Sequence, residues 1–532
     1  MMRKQSNNQT GRPKGVLFQR KSQSSAGEVR HEIRHEPETA SVNMRGAGNV
    51  GGAMGAGVKG LLKVGGAIVS DPYNAAFTSL YLFTLLLYAR PNDLIPALGT
   101  FPLVKIVALV APVAYISAQM SLGKPIIRWT LEVKMIAVIL MLGILFMPVA
   151  VSWKDSYDLL MDTYIKTVIV FIVMITVVNS RERLRSLFKL VVTCGTMLAI
   201  FAIKSYFNGE FTDKGLRIKG LVGGMFENAN DLATALDMLL PLAIVLVLTS
   251  VGKSRLFYLI CTAIMAFAVL VTFSRGGFLG LITISVVMVW KFGRGRRVAA
   301  ITSALLVGMI LLAATPGGYG NRINTVFDIQ KDSTGSAQER RELLIHTFWV
   351  AVNHPLVGVG MGNYHIHSIK EKVAHNSYLE TAAELGVGGF LAYLVILFAP
   401  MRGLRRIERE TNDLKTAEGR EMRYISIALQ AVFSAYYICS FFASIQYLWF
   451  LYYAAAYAVA LRQIYTEEQA SEFAGHPEAA LVPASHNLPV LRPGRLNPQA
   501  QTPAKPGGHL WSNGRFRKKG ALSAMPPSKG RF

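Results

Sequence analysis

Long apolar runs recurring along the chain constrain its fold more than any other feature. Positions 135–151, 167–178 and 298–314 hold no charged residue. A backbone in lipid must satisfy its N–H and C=O groups within its own helix, and a spanning helix needs about 20 mostly apolar residues. A soluble protein with this many such runs would have no surface to offer water. The pattern predicts an all-α polytopic transmembrane bundle of about twelve spans. Helices are expected at 73–89, 101–119, 132–151, 160–179, 187–205, 229–249, 256–273, 276–291, 298–314, 381–399, 424–443 and 447–461. A long, partly helical loop is expected over 316–380.

The formal charge of +24 would fit nucleic acid if a basic, aromatic-interleaved soluble domain were present, and none is. Instead the cations gather between apolar runs. With the N-terminus inside, the inner loops carry Lys124 and Arg128; Arg181, Arg183 and Arg185; Lys253 and Arg255; Lys291, Arg294, Arg296 and Arg297; and Arg402, Arg405, Arg406 and Arg409. That alternation follows the positive-inside rule. An even span count returns both termini to the cytoplasm, where basic tails meet anionic lipid. Residues 1–72 and 462–532 are polar, basic and rich in Gly or Pro, a composition that builds no core. They are expected to be disordered tails around a membrane domain at 73–461. Residues 55–60 match GxGxxG but lack a preceding strand, so they read as linker. Cys194, Cys261 and Cys439 lie in apolar runs without a CxxC partner and read as small core residues.

The same orientation brings four segments to the outer face. Asn208–Asp231 holds Arg217, Lys219 and the run Gly224-Met225-Phe226-Glu227-Asn228-Ala229-Asn230-Asp231. Ser274-Arg275-Gly276-Gly277 is a tight turn between two helices. The 316–380 loop holds Arg340, Arg341 and Asn353-His354-Pro355-Leu356-Val357-Gly358-Val359-Gly360-Met361-Gly362-Asn363. His375-Asn376-Ser377-Tyr378 closes it, ahead of Glu384-Leu385-Gly386-Val387-Gly388-Gly389.

An arginine at the bilayer edge either snorkels to the interface or faces an anion, and a guanidinium fork suits a lipid diphosphate. Arg217, Arg275 and Arg340 allow both readings, and their grouping on one side favours an anion site. His375 is the candidate base, since imidazole exchanges a proton near neutral pH. The other histidines (His346, His354, His365 and His367) come with no HExxH or Cys-rich pattern, so no metal and no cofactor is expected. Gly358, Gly360 and Gly362 suit a phosphate cradle or a turn. With no P-loop lysine pattern, the turn is favoured.

In their order, these segments resemble the O-antigen ligase and polymerase-like membrane proteins. The resemblance rests on Gly224–Asp231, Phe273–Gly277, Arg340 upstream of Asn353–Gly360, and His375-Asn376 followed nine residues later by Gly386-Val387-Gly388-Gly389. Its motifs span 217–389. Two departures are Asn228-Ala229-Asn230, where the family often has Asn-Pro-Asn, and the doubled Arg340-Arg341. The resemblance implies an enzyme of the bacterial inner membrane. It would transfer a glycan from undecaprenyl diphosphate to a hydroxyl of a glycan, lipid A core or protein at the periplasmic face, inverting and without metal. By the same resemblance His375 removes the acceptor proton, while Arg217 and Arg340 stabilise the leaving diphosphate. Arg275, Arg341, Asn228, Asn230 and Asn376 would bind substrate, with Asn376 orienting His375. Tyr88-Ala89-Arg90-Pro91-Asn92-Asp93 further resembles a branch found with exopolysaccharide and exosortase loci.

A ligase moving a finished glycan and a polymerase joining repeat units need the same base and diphosphate site. A transporter would show inverted repeats and paired mid-membrane charges. Lys105, Lys166 and Asp237 lie within apolar segments, but no repeat is visible.

Overall fold

The structure, a computed structural model, describes residues 71–94, 103–211, 218, 226–293 and 336–475. Several features of the sequence therefore lie outside the described residues. These are both basic tails up to 70 and from 476, the GxGxxG stretch, Arg217, Lys219, Gly224, Met225, the apolar run 298–314 and the first part of the 316–380 loop.

Regular structure among the described residues is helical, apart from one isolated antiparallel bridge between Phe211 and Ile218. In chain order the helices are α1 (Asn74–Ala89), α2 (Leu103–Ser121), α3 (Leu131–Leu145) and α4 (Trp153–Val177, with a π turn at Leu160–Tyr164). Then come α5 (Arg181–Phe207), α6 (Ala229–Thr249), α7 (Gly252–Val271), α8 (Arg275–Phe292) and α9 (Ser336–Asn353). The last are α10 (Ser377–Glu410), α11 (Ala417–Cys439) and α12 (Trp449–Gly475). Among the described residues, 8 of these helices are long and apolar enough to cross a membrane. Their starts follow the expected chemistry. Thr130, Ser152, Ser180, Ser274 and Thr416 each cap a helix by accepting a backbone N–H three residues on.

The perimeter is oily. On α2, Ile106, Leu109, Val110, Val113, Ile116 and Met120 all face outward, a surface that only lipid can cover without cost. The centre is α12, buried at every position from Phe450 to Leu461. Five alanines among those positions let neighbours approach closely. Its tyrosines key into the surrounding helices: Tyr453 against Tyr88 of α1, Tyr452 against Tyr164 of α4, and Tyr457 against Phe188 of α5.

The two ends of the bundle differ in chemistry. At one end cations are tied to acids between helices: Lys291 to Glu408 (2.6 Å), Arg185 to Glu421 (3.2 Å) and Arg181 to Glu468 (2.7 Å). Four of the five basic loops have contacts at this end: Arg128 with Gln463, Arg181 and Arg185 with these acids, and Lys291 beside Arg405 and Arg409. The expected boundary at 461 falls inside α12, which continues to Gly475 because its later residues still have partners. Arg462 grips Glu132 through two parallel bonds of 3.0 Å, with the Glu132 side chain fully buried. Arg462→Met leaves that carboxylate uncompensated and should cost roughly 3 kcal/mol. Glu132→Gln in the same background should recover part of it, as read from thermal unfolding in detergent.

Candidate functional site

At the opposite end, α10 organises the candidate site. Asn376 caps it, its Oδ1 accepting from Leu379 N at 2.9 Å while its Nδ2 donates to Phe441 O at 3.2 Å. Ser377 N donates to Ser440 O, Ser377 Oγ donates to Ala443 O and accepts from Ile445 N, and His375 N donates to Ser444 Oγ at 3.0 Å. The 440–445 turn between α11 and α12 therefore fixes the residues around His375. His375 is half-buried and left-handed, with φ 52°, a region that non-glycine residues rarely enter and in which Asn, Asp and His are enriched.

Two turns further on, α10 breaks at Gly386 (φ 63°, ψ −167°). The break frees backbone groups, and the glycine-rich segment takes them up. Val359 N donates to Ala383 O (2.9 Å), Gly360 N to Glu384 O (3.0 Å), and Val387 N to Pro355 O (2.8 Å). Residues 355–360 thus run as a strap along the kink. A Cβ on Gly358 would stand 2.3 Å from Glu384 O, and one on Gly386 would stand 2.6 Å from Leu356 O. Of the two uses open to these glycines, the turn is the one realised: the N–H groups of Gly358, Val359 and Gly360 all donate to backbone carbonyls. The strap is anchored at its far end by Asn363, which accepts from Ser152 N (2.7 Å) and donates to Ser156 Oγ (2.8 Å). Glu384, buried beneath it, accepts from Tyr364 N (3.2 Å) and Tyr447 OH (2.9 Å).

The Ser274 turn meets the same place. Ser274 Oγ accepts from Gly277 N (3.2 Å) and donates to Asn230 Oδ1 (3.0 Å). Gly277 lies against Ala233 of α6, and Gly276 against Phe442 of the 440–445 turn. That contact brings the Arg275 turn and the His375 loop onto one shared segment. Arg275 is half-buried in the first turn of α8, an end whose free N–H groups and dipole favour an anion. Asn228 caps α6, its Oδ1 accepting from Asn230 N. Arg340 is half-exposed and Arg341 exposed on α9. This helix packs on α10, its Thr347 Oγ1 lies 2.6 Å from Tyr364 OH, and its Glu339 pairs with Lys372 just ahead of His375. Arg90, ending α1 with φ 43°, pairs with Asp93 at 2.8 Å.

The other histidines line the strap. His354 and His367 face each other with ring centres 5.9 Å apart. Burial, then His354 and His346, pull His367 below the usual imidazole value. Among the described residues, no three His, Cys, Asp or Glu side chains are grouped so as to hold a metal ion. Sequence reasoning quoted Glu384 only as part of a motif, without a role, and passed over Glu380, Tyr447 and Ser444. The two glutamates carried a signal, being acids four apart entering an apolar run. Ser444 carried none, because its contact spans 69 positions.

Residues 260–394 match the family described as O-antigen ligase, and the match supports an O-antigen ligase-like family for the chain. The matched segment takes in Arg275, Arg340, Arg341, His375 and Asn376, and leaves out Arg217, Asn228 and Asn230. No curated protein matches the chain.

Proposed function

We propose, from the O-antigen ligase-family segment at residues 260–394, that this chain is a ligase moving a lipid-linked glycan onto an acceptor hydroxyl. The donor is a glycan on undecaprenyl diphosphate, and the acceptor is a lipid A core, polysaccharide or protein hydroxyl. The site end faces the periplasm and the basic end the cytoplasm, in keeping with the positive-inside rule. The observation that carries the reading is the meeting of the His375 loop and the Arg275 turn on the 440–445 segment.

His375 takes the acceptor's O–H proton as the oxygen attacks the anomeric carbon. The bond from that carbon to the diphosphate oxygen breaks, and undecaprenyl diphosphate leaves with the electron pair. Attack opposite the leaving group inverts the anomeric centre. Charge grows on the diphosphate in the transition state, so cations already in place stabilise that state selectively. Arg217, Arg275 and Arg340 serve there, and no step calls for a metal.

The test uses protein reconstituted in vesicles, with lipid-linked glycan extracted from the producing strain lacking this gene. Release of undecaprenyl diphosphate with one glycan chain per acceptor supports a ligase. Elongated lipid-linked chains without acceptor product would replace it with a polymerase, and glycan crossing the vesicle unreleased would replace it with a transporter. Arg340→Ala should lower kcat/KM for the donor about 100-fold, the loss expected for a charge-assisted contact. Arg340→Lys should recover only part, because an ammonium cannot form the two-pronged contact. A donor titration giving wild-type kcat/KM would remove Arg340 from the site.

A further inference from the structure

We infer that Ser444 and Glu380 are positioning residues that hold His375 in its working conformation, an inference that rests on His375 being the base. A left-handed non-glycine residue costs about 1–2 kcal/mol and persists only where its surroundings fix it. Here the fixing bonds form one chain of a single polarity. The His375 N–H donates to Ser444 Oγ, and the Ser444 hydroxyl donates to Glu380 Oε2. The same carboxylate oxygen accepts Ala374 N–H at 3.1 Å. Two successive backbone N–H groups are thereby tied, directly or through one hydroxyl, to a single buried side chain one turn into α10. Ala374 is buried as well, so the peptide before His375 has no water to replace these bonds.

None of these bonds touches the imidazole. Ser444 and Glu380 act through the main chain and leave the ring's own nitrogens to substrate and neighbours. To the chain that holds His375, Glu380 contributes one oxygen as acceptor, Oε2, which a glutamine also supplies. Gln446, whose side-chain amide hydrogen-bonds the Glu380 carboxylate and whose Oε1 has no partner, can turn its amide over to receive the N–H that such a change introduces. The need is therefore for an acceptor, not for a negative charge. A proton store at Glu380 would need the carboxylate itself.

In the reconstituted assay with extracted lipid-linked glycan, Ser444→Ala should lower kcat about 10- to 100-fold, the scale of a displacement near one ångström. Donor KM should stay within about twofold, since the diphosphate contacts are elsewhere. Ser444→Thr restores the hydroxyl and should recover most of kcat, and Glu380→Gln should act like wild type while Glu380→Ala does not. Thermal midpoints in detergent are taken for each variant. Wild-type kcat in Ser444→Ala, or Glu380→Gln as inactive as Glu380→Ala, overturns the proposal. So does a kcat loss that Thr fails to reverse and that tracks the midpoint. His375→Ala is run beside them. If it is inactive while Ser444→Ala and Glu380→Ala are normal, positioning fails and the base stands. If His375→Ala is fully active, both fall.

Discussion

His375→Ala should lower glycan transfer by about 100- to 10,000-fold, the usual contribution of a general base, with expression and membrane insertion unchanged. The His375 backbone N–H donates to Ser444 Oγ, a bond that alanine keeps. The one conformational concern is the left-handed backbone. His375→Asn answers it, since asparagine tolerates that region well yet cannot take up the proton. Both variants should be equally inactive in vesicles. Transfer at the normal rate by either would remove the base assignment.

Gly386→Ala should be strongly destabilising, as should Gly358→Ala on the other side of the same backbone contact. The new methyl at Gly386 must occupy space 2.6 Å from Leu356 O with the backbone at φ 63°. The left-handed cost of about 1–2 kcal/mol adds to an overlap cost of about 1–3 kcal/mol. The neighbour is backbone, and its own hydrogen bonds to the kink keep it from moving aside. A lowered thermal midpoint and faster proteolysis of the strap are expected. Gly123→Ala is the matched control: it is also left-handed (φ +61°), with nothing within 4 Å of the added Cβ. Its cost should be the conformational part alone. Equal destabilisation by the two would mean that the strap contact contributes nothing.

The helices were legible because lipid forces each apolar run to satisfy its own backbone, and the basic loops were legible because cations need water or an acid. What joined them was not. Asn228 and Asn376 drew attention as polar residues beside a site, yet each accepts a backbone N–H at the start of its helix. That position, just ahead of a helical pattern, was readable as a cap. Gly386 carried a family-like spacing, but nothing local says that a helix continues on its far side while handing two carbonyls to residues 359 and 360. The extension of α12 past 461 depended on Glu132, far away in sequence, waiting for Arg462. The candidate site shows the same division. Its charged members stand out by type, whereas Ser444, which ties them to the frame, is one serine among many.

The buried position of α12 bears on how the bundle is made. It emerges from the ribosome after every other helix described here, and those helices close around it. Until it arrives, the faces of α1, α4, α5, α10 and α11 that will receive its tyrosines have no partner. Synthesis halted before Trp449 would therefore leave a ring without an axle, exposed to quality control, and the 440–445 segment that holds the His375 loop would not yet be anchored to α12. Assembly of the site is thus timed to the end of the membrane domain's translation.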